Sequence, residues 1–248
     1  MDLIVSENNE NIKLIRKLSE KKYRKSYELF VVEGVTLVKS IPSSLEVHSL
    51  FIKESVYDTN KAIIDTFHSA KYLVDDKIFN KAAETDNPSG LIALVKLSSN
   101  ECKAPLGKSL ILDRISDPGN LGTIIRTAVA TGYNDIYLIN SSDPYSGKVV
   151  RASMGGIFNL RIYETNINEL TNIMKGIEVI ALDMGGVSIY NYKVTNKKIA
   201  IIIGNEANGI SDELLKLSNA VISLPMAKES ESLNAAVACG ITMYILGR

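Results

Sequence analysis

The sequence is poor in the residues that most often carry enzyme chemistry. It has only two histidines, His48 and His68, and two cysteines, Cys102 and Cys239. A histidine-based triad or a zinc site is therefore not expected. The cysteines have no metal-ligand spacing and are too few for a secreted disulfide scaffold. His48 leads into an apolar strand, His68 ends a helix-like run and Cys239 sits in an apolar helix, so all three read as structural. Neither sign of charge is in excess. With 28 basic and 28 acidic residues, no overall field points to nucleic acid, and any such case must be local. No apolar run approaches the roughly 18 residues needed to span a bilayer. The start, Met1-Asp2-Leu3-Ile4-Val5-Ser6-Glu7-Asn8, carries acid where a signal peptide would carry base. A cytoplasmic protein without membrane partner or metal is the expectation. Walker A and GxGxxG sequences are both missing, which leaves an ordinary phosphate-loop or dinucleotide site with little support.

What is present is apolar periodicity. The 248 residues are 46% hydrophobic, enough for a large core in one or two domains. Up to residue 97, helix-like and strand-like segments alternate. A basic helix is expected over Asn11 to Ser26, with strands over Phe30 to Val32, His48 to Ile52, Tyr72 to Val74 and Leu91 to Leu97. Helices are expected over Gly34 to Ser40, Lys61 to Ser69 and Lys77 to Ala83. A polar stretch with a Pro and a Gly, Ser98 to Lys108, then reads as a linker. From Ser109 the alternation is regular. Strands are expected at 109–114, 135–140, 160–164, 178–183, 198–203 and 220–224. Helices are expected at 121–131, 147–157, 167–175, 211–218 and 232–246. Short loops between them imply a mostly parallel sheet covered on both faces.

Polar motifs follow apolar runs in this half. Asp117-Pro118-Gly119-Asn120-Leu121-Gly122, continuing to Arg126-Thr127-Ala128, follows Ser109 to Asp113. Gly204-Asn205-Glu206-Ala207-Asn208-Gly209 follows Ile199 to Ile203. Leu224-Pro225-Met226, then Ser232-Leu233-Asn234, follows Ala220 to Ser223. Buried parallel strands read as continuous apolar runs, and ligands gather at their carboxyl ends. Together the three loops read as one site.

Each motif also has a plain reading. Asn120 could cap a helix whose buried stripe is Leu121, Ile124, Ile125, Ala128 and Val129, with Arg126 merely solvated. Alternatively, Asn120 and Arg126 share the crevice, where a guanidinium can clamp a phosphate bidentately. Gly204 and Gly209 are turn glycines or points of close ligand approach. Glu206 is a capping partner or a polar ligand. One of Ser232 and Asn234 is explained by capping the final helix, but not both. In the N-terminal half, Lys13, Arg16, Lys17, Lys21, Lys22, Arg24 and Lys25 are interrupted by a single acid, Glu20. Such runs are usually solvated faces, yet this density in a chain of zero net charge favours a nucleic-acid contact.

These residues resemble the SpoU (TrmH) family of RNA ribose methyltransferases. Asn120-x-Gly122-x-x-x-Arg126-x-Ala128 resembles its first motif, Gly204-x-Glu206-x-x-Gly209 its second, and Pro225-Met226 with Ser232-Leu233-Asn234 its third. Lys148 to Gly155 also looks familial. So does Lys17-Leu18 to Lys25, followed by Phe30-Val31-Val32-Glu33-Gly34, which is similar to the family's substrate-binding domain. One departure is Lys228, where the family commonly has Gly. The resemblance implies an α/β fold: a C-terminal parallel-sheet, trefoil-knot methyltransferase domain of the SPOUT type (109–248), a linker (99–108) and a small N-terminal α/β RNA-binding domain (1–98). It implies S-adenosylmethionine as methyl donor, a homodimer and RNA as substrate. Large-subunit ribosomal RNA is the first expectation and transfer RNA the second.

Methyl transfer to a ribose 2′-hydroxyl needs a base, or a field that favours the alkoxide. The resemblance implies that Arg126 acts there. With a pKa of about 12 or above, Arg is a poor base, so it fits better as stabiliser of the developing alkoxide and a neighbouring phosphate. Asn120, Glu206, Ser232 and Asn234 would orient Arg126 and the ribose. Leu182, Asp183, Gly204, Leu224, Met226 and Leu233 would hold the cofactor. Lys17, Lys21, Lys22, Arg24, Lys25 and Arg151 would contact RNA. A binding module without catalysis, or a nucleotide-binding regulator, are the rival classes; the intact polar motifs weigh against the first, and a calorimetric titration with S-adenosylmethionine separates the second.

Overall fold

The structure, a computed structural model, describes residues 1, 3–97, 101–227 and 232–247. Lys228 lies outside the described residues, as do Ser98-Ser99-Asn100 of the linker. The chain forms two compact units, Met1–Ser99 with Tyr145–Phe158, and Asn100–Pro144 with Asn159–Arg248. Among the described residues, no helix is long and apolar enough to cross a membrane.

In chain order, the first unit contains β1 (Leu3–Ile4), α1 (Glu10–Lys17), α2 (Lys21–Tyr27), β2 (Leu29–Glu33), α3 (Val35–Lys39), β3 (Val47–Lys53), α4 (Tyr57–Ile64), β4 (Ala70–Val74), α5 (Asp76–Ala82) and β5 (Leu91–Lys96). Its sheet runs β1-β4-β3-β5-β2 and is mixed, with β5 antiparallel to both neighbours. Leu91 to Val95 are fully buried, so this strand reads as an unbroken apolar run. The chain from Tyr145 to Phe158 belongs to this unit, where the Tyr145 ring lies 5.0 Å from that of Phe30 and Arg151 pairs with Glu84 at 2.8 Å.

The single helix expected over Asn11 to Ser26 is two helices. Arg24 explains the break. It is buried, and its Nη1 donates to the carbonyls of Leu18 at 2.6 Å and Ser19 at 2.7 Å. An arginine that satisfies the carbonyls just past the end of α1 stabilises the turn there. Arg24 therefore leaves the exposed basic set, whereas Lys17, Lys21, Lys22 and Lys25 are exposed. The helix expected over Lys61 to Ser69 starts earlier and ends at Ile64.

The second unit contains β6 (Ser109–Asp113), α6 (Pro118–Ala130) and β7 (Asp135–Ile139). After α7 (Gly147–Ala152), which packs in the first unit, come β8 (Arg161–Glu164), α8 (Ile167–Ile173), β9 (Glu178–Ser188), β10 (Ile199–Ile203), α9 (Asp212–Leu217), β11 (Ala220–Ser223) and α10 (Ala235–Leu246). The sheet order is β11-β9-β10-β6-β7-β8, and every pairing is parallel. Central β6 and β10 are buried along their whole length. The helix expected at 147–157 breaks after Ala152, because Met154 and Gly155 take left-handed conformations, φ 49° and 85°.

Two further departures shape the site. The register of β11 on β9 jumps from Val221↔Ala181 to Ile222↔Val187, so Leu182 to Gly186 leave the ladder and bulge outward. A Cβ on Gly186 would come within 2.4 Å of the Ile222 backbone, which restricts that position to glycine. Val129, expected in the buried stripe of α6, is 37% exposed instead. It sits three residues from Arg126, on the outward side of the helix.

Candidate active site at the strand ends

The site is built from the carboxyl ends of β6, β9, β10 and β11. Asp113, buried at the end of β6, anchors it. Its carboxylate accepts from Arg114 Nε at 3.1 Å and Nη2 at 3.0 Å, and from the Ser211 amide at 2.8 Å. Arg114 also donates to the Gly209 carbonyl at 3.2 Å, and Asn205 Nδ2 donates to the Arg114 carbonyl at 3.0 Å. The turn from Gly204 to Gly209 is thereby tied to the neighbouring strand. It closes tightly: a Cβ on Gly204 would lie 2.4 Å from the carbonyl carbon and oxygen of Gly209. Only glycine fits without moving backbone.

Helix α6 begins three residues before its expected start. Asp117 is the N-cap, its Oδ1 accepting from the Asn120 amide at 2.8 Å, and Pro118 follows in the first turn. Asn120 is therefore not the cap, and its carboxamide is available for other contacts. Its Nδ2 donates to Glu206 Oε1 at 2.5 Å, and its Oδ1 accepts from Asn234 Nδ2 at 2.9 Å. Asn234 does cap α10, accepting from the amides of Ala236 at 3.0 Å and Val237 at 3.3 Å. One carboxamide thus caps a helix with its oxygen and reaches the site with its nitrogen. Both asparagine orientations follow from this chain of bonds, since each oxygen and nitrogen has a partner of the right kind.

Beside this cluster lies a cavity of about 240 Å³. Leu182, Asp183, Gly204, Leu224, Met226 and Leu233, the expected cofactor-binding set, all line it. So do Glu206 and Ser232 of the expected catalytic set. The β9 bulge delivers Leu182 and Asp183, together with Met184. Asn120, Glu206 and Asn234 are brought together. Arg126 is not hydrogen-bonded to them: it lies on the exposed side of α6, with no partner among the described residues. The basic residues of α1 and α2, and Arg151, belong to the other compact unit. Sequence reasoning missed the Asp113–Arg114 tie and the part played by Asn205. The signal was a charged pair closing an apolar run, which could as well have been a solvated turn. Cys239 in α10 is fully buried, and burial pushes its thiol up, as suits a core residue.

An all-parallel sheet whose strand-end loops converge on a cavity defines an α/β domain with a ligand site at its carboxyl edge. Residues 107–244 match the SpoU rRNA Methylase family, and residues 9–93 match the MRM3-like substrate binding domain. The chain belongs to the SpoU rRNA methylase family, a family of RNA 2′-O-methyltransferases. It is 29% identical to the 23S rRNA (guanosine(2553)-2′-O)-methyltransferase of Bacillus subtilis, over 99% of each chain. It is 31% identical to an uncharacterized tRNA/rRNA methyltransferase of Synechocystis, covering 97% of this chain and 92% of that one. An AdoMet-bound rRNA methyltransferase from Sinorhizobium meliloti has a similar structure, with a TM-score of 0.87 and 28% identity over 98% of this chain and 96% of that one.

Proposed function

We propose that the protein transfers a methyl group from S-adenosylmethionine to a ribose 2′-hydroxyl of large-subunit ribosomal RNA. The observation that carries this is the Asn120–Glu206–Asn234 cluster at the edge of the cavity. The Bacillus subtilis relative, alike over the whole chain, supports ribosomal RNA as the target.

The cavity suits the cofactor chemically. Leu182, Ile203, Leu224, Met226 and Leu233 give an apolar wall, while Asp183, Asn205, Glu206 and Ser232 give polar groups at its edge. Gly204 and Gly209 line the cavity, and the missing side chain at Gly204 lets the two ends of the turn close on each other there. When bound, S-adenosylmethionine supplies an electrophilic methyl carbon. Arg126 stabilises negative charge developing on the ribose oxygen and binds the adjacent phosphate. Asn120, held from both ends, keeps Glu206 oriented without a water in between. Ser232 and Asn234 complete the polar edge.

The dimer expected from the sequence has a candidate face. Val237, Ile241 and Tyr244 are 51%, 38% and 55% exposed along one side of α10. This helix packs on α6, which exposes Val129 beside Arg126. An apolar stripe of this kind suits a second copy of the chain, related by two-fold symmetry. Tyr23 and Tyr27 interleave the basic α1–α2 face, with the Lys22 ammonium 4.6 Å from the Tyr23 ring. That mixture suits RNA.

Mapping of 2′-O-methyl groups in total RNA from a deletion strain beside its parent tests the function. Loss of one modification from large-subunit RNA is expected. Loss from transfer RNA alone would replace the target, and no loss anywhere would refute catalysis.

A further inference from the structure

The two histidines read as structural in the sequence, yet both are exposed, and they line one cleft of the first unit. This cleft, about 580 Å³ in volume, lies between the chain following α3, the start of β3 and the turn from α4 to β4. Among the described residues its only acid is Glu46, already paired with Lys96 at 2.6 Å. Lys39 and His68 have no partner among the described residues, and His48 Nδ1 lies 3.2 Å from the Ser49 hydroxyl. Phe67 adds an aromatic surface. The Ser69 hydroxyl in its wall is buried and makes no hydrogen bond. Among the described residues, no group of three or more His, Cys, Asp or Glu side chains is placed to hold a metal ion.

A cation, imidazole N–H donors and an aromatic face match the parts of one nucleotide. The phosphate takes the ammonium and an N–H, and the base takes the ring. We propose that this cleft seats a single unpaired nucleotide of the RNA substrate, with its phosphate on Lys39 and its base against Phe67 and the imidazoles. The proposal rests on RNA being the substrate. It gives the N-terminal unit a pocket that reads an unstacked base, apart from the basic α1–α2 face.

The scarcity of histidine supplies the test. With two histidines in the chain, the imidazole C–H resonances of the full-length protein form two sets, assigned by His48→Gln and His68→Gln. A single-stranded RNA of mixed sequence should move both sets, and a fully paired duplex should move neither. Lys39→Gln should weaken single-strand binding about threefold and lower the slope of log affinity against log salt by about 0.7, with its melting temperature unchanged. RNA that binds without moving either set overturns the cleft proposal and leaves the RNA reading standing. Shifts with adenosine 5′-monophosphate but not with RNA mark a free-nucleotide site and overturn it too. If no RNA binds and no methyl is transferred, the RNA reading itself fails and the cleft proposal with it.

Discussion

Asn120 and Glu206, 86 residues apart in the chain, share a side-chain hydrogen bond of 2.5 Å, with the asparagine nitrogen donating. The same carboxamide accepts from Asn234, so three elements are joined at one group. Asn120→Asp keeps the acceptor for Asn234 but sets a carboxylate against a carboxylate. Methyl transfer should fall about 100-fold, the usual cost of losing one preorganised donor. Adding Glu206→Gln restores a donor between the two and should recover part of the loss. Single-turnover rates for the four members of this cycle check the coupling; additive losses would show that the bond does not matter to the reaction.

Gly204→Ala places a methyl 2.4 Å from the Gly209 backbone. The loop must open to admit it. Affinity for S-adenosylmethionine should drop at least about tenfold, while the melting temperature falls by only a few degrees, because the strain sits in a loop. Calorimetric titration beside thermal unfolding separates the two effects. Unchanged affinity would remove the turn from the binding site.

Arg126 is exposed and has no partner among the described residues, so its removal costs the fold little. Arg126→Ala should abolish methyl transfer and leave cofactor affinity nearly intact. Retention of most of the single-turnover rate would end its assignment to the reaction.

Ile241→Glu sets a charge in the middle of the exposed stripe on α10. Light scattering of the full chain at micromolar concentration should give a dimer, and of the variant a monomer. A monomeric parent would rule out the dimer, and a dimeric variant would move the interface elsewhere.

Glu178, buried at the start of β9, accepts from the Tyr192 hydroxyl at 2.6 Å and the amides of Thr195 and Asn196 at 2.8 and 2.6 Å. Burial raises its pKa, but these hydrogen bonds outweigh burial and hold the carboxyl below its ordinary range. A folded-state pKa below the unfolded one contributes stability above the unfolded value of about 4.3, and this is lost as pH falls through the folded value. Glu178→Gln should destabilise by about 1–3 kcal/mol at pH 7. The difference between the two proteins should shrink below about pH 4. Denaturant midpoints of both at neutral and acid pH decide it; a constant gap would show that the ionised form is not what the site favours.

Much of this was legible in the residues. Ile199-Ala200-Ile201-Ile202-Ile203 announced a buried strand and was one. The six strands of the parallel sheet lie where apolar runs placed them, apart from the long continuation of β9 to Ser188. That continuation was hidden because Met184-Gly185-Gly186 reads as a turn, whereas the bulge absorbs it and the ladder resumes. The start of α6 at Pro118 is hidden for a related reason. Pro118-Gly119-Asn120 has turn composition, but Asp117 supplies the cap and Pro118 tolerates the first turn. Arg24 reads like its charged neighbours because sequence spacing cannot distinguish a solvated guanidinium from one that binds two carbonyls.

The sequence by itself determined the elements, the polar loops that end the strands and the glycines that let those loops turn. These depend on interactions within a few residues, and local periodicity and turn chemistry report them. Tertiary structure alone decided that within this site Asn120 bonds both Glu206 and Asn234, that Val129 and Ile241 face outward, and that both histidines share a cleft. Those outcomes depend on strand order and register. Placing β10 beside β6, and α10 on α6, is settled by packing across the whole sheet, and no short window of sequence contains that information.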